Sequence, residues 1–237
     1  MSKNILIFGG TSHIAKIIYS NLLKKNNVIS VSSSKKRMDQ LKKKYKNSDN
    51  FYSFYFDYEL KNLKNLVLFF KKNNFKELSI LYLYRNNKNY ENDNFNLWNN
   101  ELKDQITLPY FICKKLDKNF NIKKFILISS IYSDLLPPKK LHKNIKNFPI
   151  NYSVAKAGVE KLTMYMAELY KFPVFCIKLG GVEGRANRKF LNKYKQHTIG
   201  KSMLTKNDLN KIFEDAFENE NGYITGRTLQ FDYFFRS

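Results

Sequence analysis

The residues Asn4-Ile-Leu-Ile-Phe8, followed by Gly9-Gly10-Thr-Ser-His13-Ile-Ala15, decide how this chain is expected to begin its fold. The first five residues are mostly apolar, and a run of this length that ends at two glycines is typical of a strand buried inside a parallel sheet. Apolar residues at helical spacing follow as far as Leu23. The stretch therefore predicts a strand, a tight turn and a helix in succession.

The same succession repeats along the whole chain. Further strands are predicted at 28–31, 51–56, 78–84, 125–129, 174–179 and 228–231, and helices follow up to 46 and at 60–70, 98–116, 151–170 and 209–217. Strands that alternate with helices predict a single doubly wound, Rossmann-like α/β domain over 1–237, with a parallel sheet and helices on both faces. Residues 134–149 are predicted to be an exposed insertion, and residues 184–205 a mobile loop that acts as a substrate lid.

The charge of the chain is strongly positive. It carries 42 lysine and arginine residues against 20 aspartate and glutamate residues, a formal net charge of +22 over 237 residues. Such a surplus can mark a nucleic-acid-binding α/β protein, which stays as one alternative. Because the lysines are spread along most of the chain, a solvated surface is favoured and we predict no nucleic-acid partner. The surplus should still attract anionic ligands, including a phosphorylated cofactor.

The cysteine content and the lengths of the apolar runs indicate in which cellular compartment the protein is expected. Cys113 and Cys176 are too few for a disulfide framework and are expected to be buried. No apolar run approaches the roughly 20 residues that cross a bilayer, and the N-terminus lacks the pattern of a signal peptide. We expect a cytoplasmic protein with no membrane contact. His13, His142 and His197 are scattered, so no metal site is predicted.

Two segments favour a nucleotide at one end of the sheet. Ligands of such sheets bind beyond the carboxyl ends of the strands, and a small-residue turn before a helix suits a pyrophosphate. The second strand ends in Ser32-Ser33-Ser34-Lys35-Lys36-Arg37, without the acidic residue that binds the ribose of NAD. Hydroxyls followed by three cations suit a 2′-phosphate, which favours NADP(H) over NAD(H). The alternative is a serine that caps a basic helix.

The segment Tyr152-Ser-Val-Ala-Lys156 contains the candidate residues for proton transfer. Its spacing places a phenol and an ammonium on one helical face, where the positive charge lowers the phenol pKa. Such a pair can give a proton to a carbonyl oxygen or take one from an alcohol. The pattern Tyr-x-x-x-Lys also occurs at Tyr84 and Tyr110, but only the third copy opens the helix after the fifth strand and follows Ser129-Ser130.

Together these segments resemble the short-chain dehydrogenase/reductase family. The glycine turn resembles the variant Gly-Ala-Thr-Ser-x-Ile-Ala, with His13 and Ala15 at the second and third glycine positions. The segment 179–184 resembles the family's Pro-Gly-x-Val/Ile-x-Thr, and 223–232 its closing Tyr-Ile-Thr-Gly-x-x-Leu-x-x-Asp. The chain departs from the family after the fourth strand, where Tyr82-Leu-Tyr-Arg85 replaces Asn-Asn-Ala-Gly.

The resemblance implies roles for particular residues. Ser130 would hold the substrate carbonyl, with Ser129 as the fallback, and Tyr152 would be the acid/base. Lys156 would bind the nicotinamide ribose and tune Tyr152, and Gln105 would take the place of the proton-relay asparagine. Asp57 would contact the adenine, and the carboxamide would meet Val182. The implied cofactor-binding residues are Gly9, Thr11, Ser12, His13, Ile14, Ser33, Ser34, Asp57, Tyr82, Tyr152, Lys156, Gly180 and Val182.

The function that the resemblance implies is an NAD(P)(H)-dependent oxidoreductase that interconverts a carbonyl and a secondary alcohol by hydride transfer. The glycine turn and the basic segment around 185–195 point to a small, anionic substrate, such as a sugar or nucleotide-sugar of surface polysaccharide biosynthesis. A 3-ketoacyl-type reductase is one alternative, and a degenerate nucleotide-binding protein with a regulatory or scaffold role is another. We expect a homodimer or homotetramer formed through the helices 98–116 and 151–170.

Overall fold

A parallel sheet of seven strands runs through the part of the chain that the computed structural model describes, which comprises residues 2–85, 94–136, 138, 141, 150–184, 188–219 and 222–235. Its strands are β1 (Asn4–Phe8), β2 (Asn27–Ser32), β3 (Phe51–Tyr55), β4 (Glu77–Tyr82), β5 (Asn121–Ser130), β6 (Val174–Leu179) and β7 (Thr228–Phe231). They lie in the order β3-β2-β1-β4-β5-β6-β7, and every neighbouring pair is parallel.

Helices connect the strands. They are α1 (His13–Leu22), α2 (Lys35–Lys44), α3 (Leu63–Lys72), α4 (Phe95–Leu102), α5 (Leu108–Asp117), α6 (Ile150–Leu169), α7 (Arg188–Gln196) and α8 (Lys206–Glu218). Short 3-10 turns occur at Leu60–Asn62, Ile131–Ser133 and Gly222–Ile224. No helix within the described ranges is long and apolar enough to span a membrane.

Two apolar layers cover the two faces of the sheet. Ile5 and Ile7 of β1 pack into the layer that includes side chains of α1, α2 and α8, whereas Leu6 and Phe8 pack into the layer that includes α3, α5 and α6. All four side chains are fully buried. Burial of each contributes about 1.5–3 kcal/mol, which explains why β1 is apolar on both sides. The predicted doubly wound parallel sheet with helices on both faces is confirmed.

The predicted helix 98–116 is interrupted. It begins earlier, at Phe95, and Lys103–Thr107 forms a π-helical turn between α4 and α5. Pro109 follows in the first turn of α5. Because proline lacks an N–H, the carbonyl of Gln105 has no α-helical donor four residues on, and the wider turn lies directly before the proline.

The expected loop at 184–205 contains a helix instead. Arg188–Gln196 forms α7, so the prediction of a loop is wrong for these residues. Tyr194 is buried, and its ring packs on Phe235 with the centroids 4.8 Å apart. The helix α7 therefore packs on the rest of the protein through an apolar side. This side is hard to recognise in the sequence because α7 contains many cationic residues. Residues 185–187, and most of the predicted insertion 134–149, lie outside the described residues.

The strand order fixes where a ligand can bind. β1 leads to β2 on one side and pairs with β4 on the other, so the connections after β1 and β4 leave in opposite directions. A crevice opens at such a switch point, beyond the carboxyl ends of the strands.

Candidate active site

A cleft of about 320 Å³ lies at this switch point. Its walls come from the turn after β1, the ends of β2, β4 and β5, and the first turns of α6. The lining residues are Gly9, Thr11, Ser12, Ile14, Ser32, Ser33, Ser34, Arg37, Leu83, Tyr84, Arg85, Ile128, Tyr152 and Lys156. The cleft thus brings together most of the residues predicted at the nucleotide end with the predicted pair Tyr152 and Lys156.

The turn after β1 requires glycine at its first position. Gly9 has a φ of +75°, and a Cβ there would lie 2.7 Å from the backbone of Leu83 and Tyr84. The Gly9 N–H donates to the Tyr58 hydroxyl at 2.7 Å, and that hydroxyl donates to the Val31 carbonyl at 3.1 Å. Tyr58 itself has a φ of 61°. Three segments of chain are therefore tied together at this turn.

Replacing Gly9 with alanine is expected to lower the free energy of unfolding by about 1–3 kcal/mol, because the Cβ meets fixed backbone at a left-handed φ. Urea unfolding followed by circular dichroism measures the loss. Gly222→Ala is the matched control, since a Cβ at Gly222 would meet no atom within 4 Å of the described chain. Equal stability of the Gly9 variant and this control would contradict the argument.

His13 turns away from the cleft. Its Nε2 lies 2.8 Å from the Glu183 carbonyl oxygen, and a Cβ on Gly184 would lie 3.0 Å from the His13 ring. The imidazole is thus packed on the segment after β6, and the cleft lining does not include it. A side chain is accommodated at this position because it lies against Glu183 and Gly184, outside the cleft lining. The predicted contact between His13 and a cofactor stays a prediction.

The end of β2 combines a helix cap with a wall of the cleft. The hydroxyls of Ser32 and Thr11 lie 2.7 Å apart, and the Ser34 hydroxyl accepts from the Arg37 N–H at 3.4 Å. Both interpretations of these serines are therefore compatible, since the capping residues also line the cleft beside Arg37. The basic side chain of Arg37 and the serine hydroxyls face the same space.

Two tyrosines stack on each other beside the glycine turn, and one of them, Tyr84, lines the cleft. The rings of Tyr58 and Tyr84 stack with centroids 3.3 Å apart and an angle of 10° between the planes. Burial raises the pKa of Tyr84 well above its usual range, so it stays a neutral phenol. Tyr82 does not line the cleft, and its predicted contact with a cofactor stays a prediction. Its hydroxyl donates to the Asp104 carbonyl at 2.8 Å, inside the core and outside the cleft lining.

Lys156 lies in the cleft beside Tyr152. Its ammonium donates to Gln105 Oε1 at 2.7 Å and to the Ile128 carbonyl at 2.6 Å, and the residue is only 6% exposed. Burial lowers the pKa of Lys156 to about 8, and the nearby charge of Arg85 acts in the same direction. The ammonium nitrogen lies 5.6 Å from the centroid of the Tyr152 ring. The ammonium of Lys156 and the ring of Tyr152 are therefore neighbours, and their role as an acid/base pair stays a prediction.

Gln105 joins this unit through the π-helical turn. It is 3% exposed, and its amide nitrogen donates to the Tyr84 carbonyl at 3.2 Å while its oxygen accepts from Lys156. The amide thus connects the end of β4 to α6. A π-helical turn commonly occurs at functional sites, and here it brings a long amide side chain to the ammonium.

The two serines at the end of β5 differ in their contacts. The Ser129 hydroxyl donates to Glu160 Oε1 at 2.6 Å, and Glu160 in turn pairs with Lys178 at 3.0 Å. The Ser130 hydroxyl accepts from the Tyr132 N–H at 3.3 Å. Neither serine is in the cleft lining. Because Ser129 is engaged by the partly buried carboxylate of Glu160, Ser130 stays the better candidate for a substrate contact.

Other predicted cofactor residues lie outside the cleft lining. Asp57 accepts from the Glu59 N–H at 3.1 Å and from the Asn62 amide at 2.7 Å. The Gly180 N–H donates to the Phe231 carbonyl at 2.9 Å, and Val182 forms a β-bridge with Leu204. Their contacts with a cofactor stay predictions.

Among the residues at the site, Arg85 and Glu101 were given no role by the sequence analysis. The Arg85 Cζ lies 4.4 Å from the centroid of the Tyr152 ring, and its Nε donates to Glu101 Oε1 at 2.6 Å. The Glu101 side chain is fully buried. Arg85 lies in the short segment that follows β4, at the edge where ligands bind, and this position was the available signal.

Comparison with known proteins now decides the family. Residues 5–212 match the model of the NAD dependent epimerase/dehydratase family. The chain belongs to this family. No curated protein matches the sequence.

Solved structures share the fold of this member of the NAD dependent epimerase/dehydratase family. A short chain dehydrogenase from Bacillus anthracis superposes with a TM-score of 0.77 at 16% identity, covering 97% of this chain and 94% of that one. A short chain dehydrogenase from Leptospira borgpetersenii with bound NAD+ gives 0.78 at 19% identity, with coverages of 100% and 94%. A gluconate 5-dehydrogenase from Burkholderia cenocepacia, in complex with NADP and tartrate, gives 0.78 at 14% identity, with coverages of 98% and 94%. The predicted short-chain dehydrogenase/reductase fold is confirmed.

Proposed function

We propose that the protein is an oxidoreductase that uses a nicotinamide dinucleotide to interconvert a carbonyl and a secondary alcohol. The observation that carries the proposal is the cleft in which the glycine turn, the serines at the end of β2, Tyr152 and Lys156 face one space, with Gln105 hydrogen-bonded to Lys156. Gly9 supports the fit of a dinucleotide, because a Cβ there would collide with the backbone of Leu83 and Tyr84 and disturb the turn that borders the cleft. Thr11 and Ser12 line the cleft at the N-terminus of α1, where backbone N–H groups favour phosphate.

The dinucleotide, when bound, supplies or accepts the hydride. The chain supplies the proton at the Tyr152 hydroxyl, which is given to the substrate oxygen in reduction and taken from it in oxidation. Lys156 favours the phenolate by its charge, and the Gln105 oxygen and the Ile128 carbonyl hold the ammonium in place. Gln105 also connects this ammonium to the Tyr84 carbonyl. Ser130 would hold the substrate oxygen near the phenol.

A fluorescence titration tests the proposal. Reduced nicotinamide dinucleotide is added to the purified protein, and nicotinamide fluorescence is expected to rise to saturation. A screen of carbonyl substrates for nicotinamide oxidation then tests turnover. Absence of binding by both NADPH and NADH would contradict the proposed function.

We further propose that NADP(H) is preferred to NAD(H), since Ser33, Ser34 and Arg37 line the cleft at the end of β2 and the acidic residue of NAD-binding sheets is absent there. Loss of the Arg37 charge by Arg37→Ala is expected to weaken NADPH binding by about 10- to 100-fold and to leave NADH binding nearly unchanged. The same fluorescence titration measures both affinities.

The control for this variant is Lys43→Ala. It removes one exposed positive charge from the same helix, at a residue outside the cleft lining, and should alter both affinities equally and slightly. A wild-type protein that binds NADH as tightly as NADPH, or an Arg37 variant that behaves like the control, would refute the preference.

The substrate proposed is a sugar or nucleotide-sugar of surface polysaccharide biosynthesis, with a 3-ketoacyl-type reductase as the alternative. Support comes from α7, where Arg188, Lys189, Lys193 and Lys195 provide positive charge in the segment proposed as the substrate lid. Keto-sugar nucleotides and 3-ketoacyl thioesters should be compared as substrates in one assay. Faster reduction of the thioesters would favour the alternative.

One observation favours a second function, that of a nucleotide-binding protein without turnover. Tyr84 lines the cleft, stacked on Tyr58, in the segment that replaces the family's Asn-Asn-Ala-Gly. Saturable NADPH binding together with no Tyr152-dependent turnover of any carbonyl tested would select this function.

We also propose a homodimer or homotetramer, because α5 and α6 expose apolar side chains, among them Phe111, Val154, Met164, Tyr165 and Leu169.

A further inference from the structure

We propose that Arg85 is a positioning residue for Tyr152. Fixed by Glu101, its guanidinium lies against the phenol ring and stabilises the negative charge that the ring carries once its proton has left. The inference rests on the proposed function, in which Tyr152 is the acid/base. It adds a second cation, from a different element, to the one that the Tyr-x-x-x-Lys pattern provides.

The two cations approach the same ring. The Arg85 Cζ lies 4.4 Å from the Tyr152 ring centroid, closer than the 5.6 Å of the Lys156 nitrogen. Both distances fall within the roughly 6 Å over which a cation interacts with an aromatic ring. Lys156 comes from the same helix as Tyr152, whereas Arg85 comes from the end of β4. The ring is thus positioned by two independent parts of the fold.

Glu101 fixes the guanidinium. Its side chain is fully buried, that of Arg85 is 14% exposed, and the Nε–Oε1 distance is 2.6 Å. A buried carboxylate is costly unless a cation pairs with it, so this contact holds Arg85 charged and in one orientation. Glu101 belongs to α4, which leads directly into the π-helical turn of Gln105. The same short stretch of chain therefore anchors both Arg85 and Lys156.

The two cations at the ring, Arg85 and Lys156, respond differently to alkaline pH. Lys156, with a pKa of about 8, loses its charge in mildly alkaline solution, whereas an arginine keeps its charge. Above that pH, Arg85 is the cation that continues to stabilise a phenolate at Tyr152. Within the described residues, the charged and titratable groups at or near the ring include Arg85 after β4, Glu101 on α4, Lys156 and Glu160 on α6, Cys176 on β6 and Tyr132 after β5.

The titration of Tyr152 itself tests the inference. Protein labelled with ¹³C at tyrosine Cζ is titrated by NMR, and the Tyr152 signal is identified from its loss in Tyr152→Phe. Arg85→Met is expected to raise the Tyr152 midpoint by about one pH unit or more, because an opposite charge within reach of the phenol is lost. Arg85→Lys should restore most of that shift. Glu101→Gln keeps a side-chain oxygen that can accept from the Arg85 Nε–H and removes the opposing negative charge, so it should lower the midpoint.

Two further variants keep the test decisive. Lys123→Met removes an exposed cation that pairs with Glu77 at 3.0 Å, and it should leave the Tyr152 midpoint unchanged. If the buried Glu101 prevents Arg85→Met from folding, the double variant Arg85→Met/Glu101→Gln removes the stranded charge, and its midpoint should still rise. A folded Arg85→Met or double variant with the wild-type midpoint would overturn the inference.

This experiment separates the inference from the function on which it rests. The NMR titration needs neither cofactor nor substrate, so it reports the effect of Arg85 on Tyr152 directly. An enzyme that requires Tyr152 but shows the same midpoint with and without Arg85 would remove this inference alone. A protein that binds no nicotinamide dinucleotide would remove the proposed function, whatever the titration shows.

Discussion

Replacement of Tyr152 with phenylalanine is expected to lower kcat by about 10²- to 10⁴-fold, the usual contribution of a positioned acid/base. Affinity for the dinucleotide should change little, because the ring and its contacts with Arg85 and Lys156 remain. Steady-state kinetics with the best carbonyl substrate of the screen, together with the fluorescence titration, measure the two quantities. The expected pattern is a loss of turnover without a loss of binding.

Tyr110→Phe is the matched control for this variant. Tyr110 also begins a Tyr-x-x-x-Lys pattern, with Lys114, but it lies on α5 and outside the cleft lining. The control should keep its turnover within about two-fold, as expected for a substitution away from the reacting groups. Unchanged activity of Tyr152→Phe would show that the assignment of the acid/base is wrong.

The second large effect is expected from Lys156→Met, which should abolish turnover and make the folded protein more stable at neutral pH. Burial lowers the pKa of Lys156 from 10.5 to about 8, so the folded state binds this proton more weakly than the unfolded state. The cost is fully present below the folded value and is relieved as the pH rises from about 8 to 10.5. Wild-type stability should therefore rise over this range through this group.

Removing the ammonium should remove that cost. The gain is on the order of 1–3 kcal/mol at neutral pH, because the acceptors Gln105 and Ile128 then lose their donor and offset part of the benefit. Urea unfolding at neutral pH and near the upper end of the range measures both the gain and its disappearance. Lys161→Met, an exposed lysine on the same helix, should change stability by less than about 0.5 kcal/mol. A Lys156 variant clearly less stable than wild type at neutral pH would contradict the argument.

The sheet could be predicted because each buried strand is an apolar run bounded by turn residues. Runs such as Asn4–Phe8 and Val174–Leu179 lie between two helical layers, so nearly every residue must be apolar. The π-helical turn at Lys103–Thr107 was not predictable in this way, because it depends on the contact between Gln105 and Lys156 as well as on Pro109. In α7, the apolar side that includes Tyr194 is hidden among lysines, and only its contact with Phe235 shows that the helix docks.

In the site, too, local patterns could be predicted from the sequence, whereas contacts between distant segments could not. The spacing of Tyr152 and Lys156 placed both on one helix face, since a local pattern suffices for residues four apart. The pairing of Arg85 with Glu101 joins residues from two elements, and in a chain with 42 basic residues no local pattern shows which cation meets which carboxylate. The direction of the His13 side chain likewise depends on the segment after β6, which lies far away in the sequence.

The contacts of Tyr58 bear on how a ligand would associate with the cleft. Its left-handed backbone, at a φ of 61°, costs about 1–3 kcal/mol, and its hydroxyl links the Gly9 N–H to the Val31 carbonyl. The glycine turn is therefore preorganised: its shape is established during folding by an interior side chain. A ligand that enters the cleft meets a rigid loop, so its association loses little conformational entropy there.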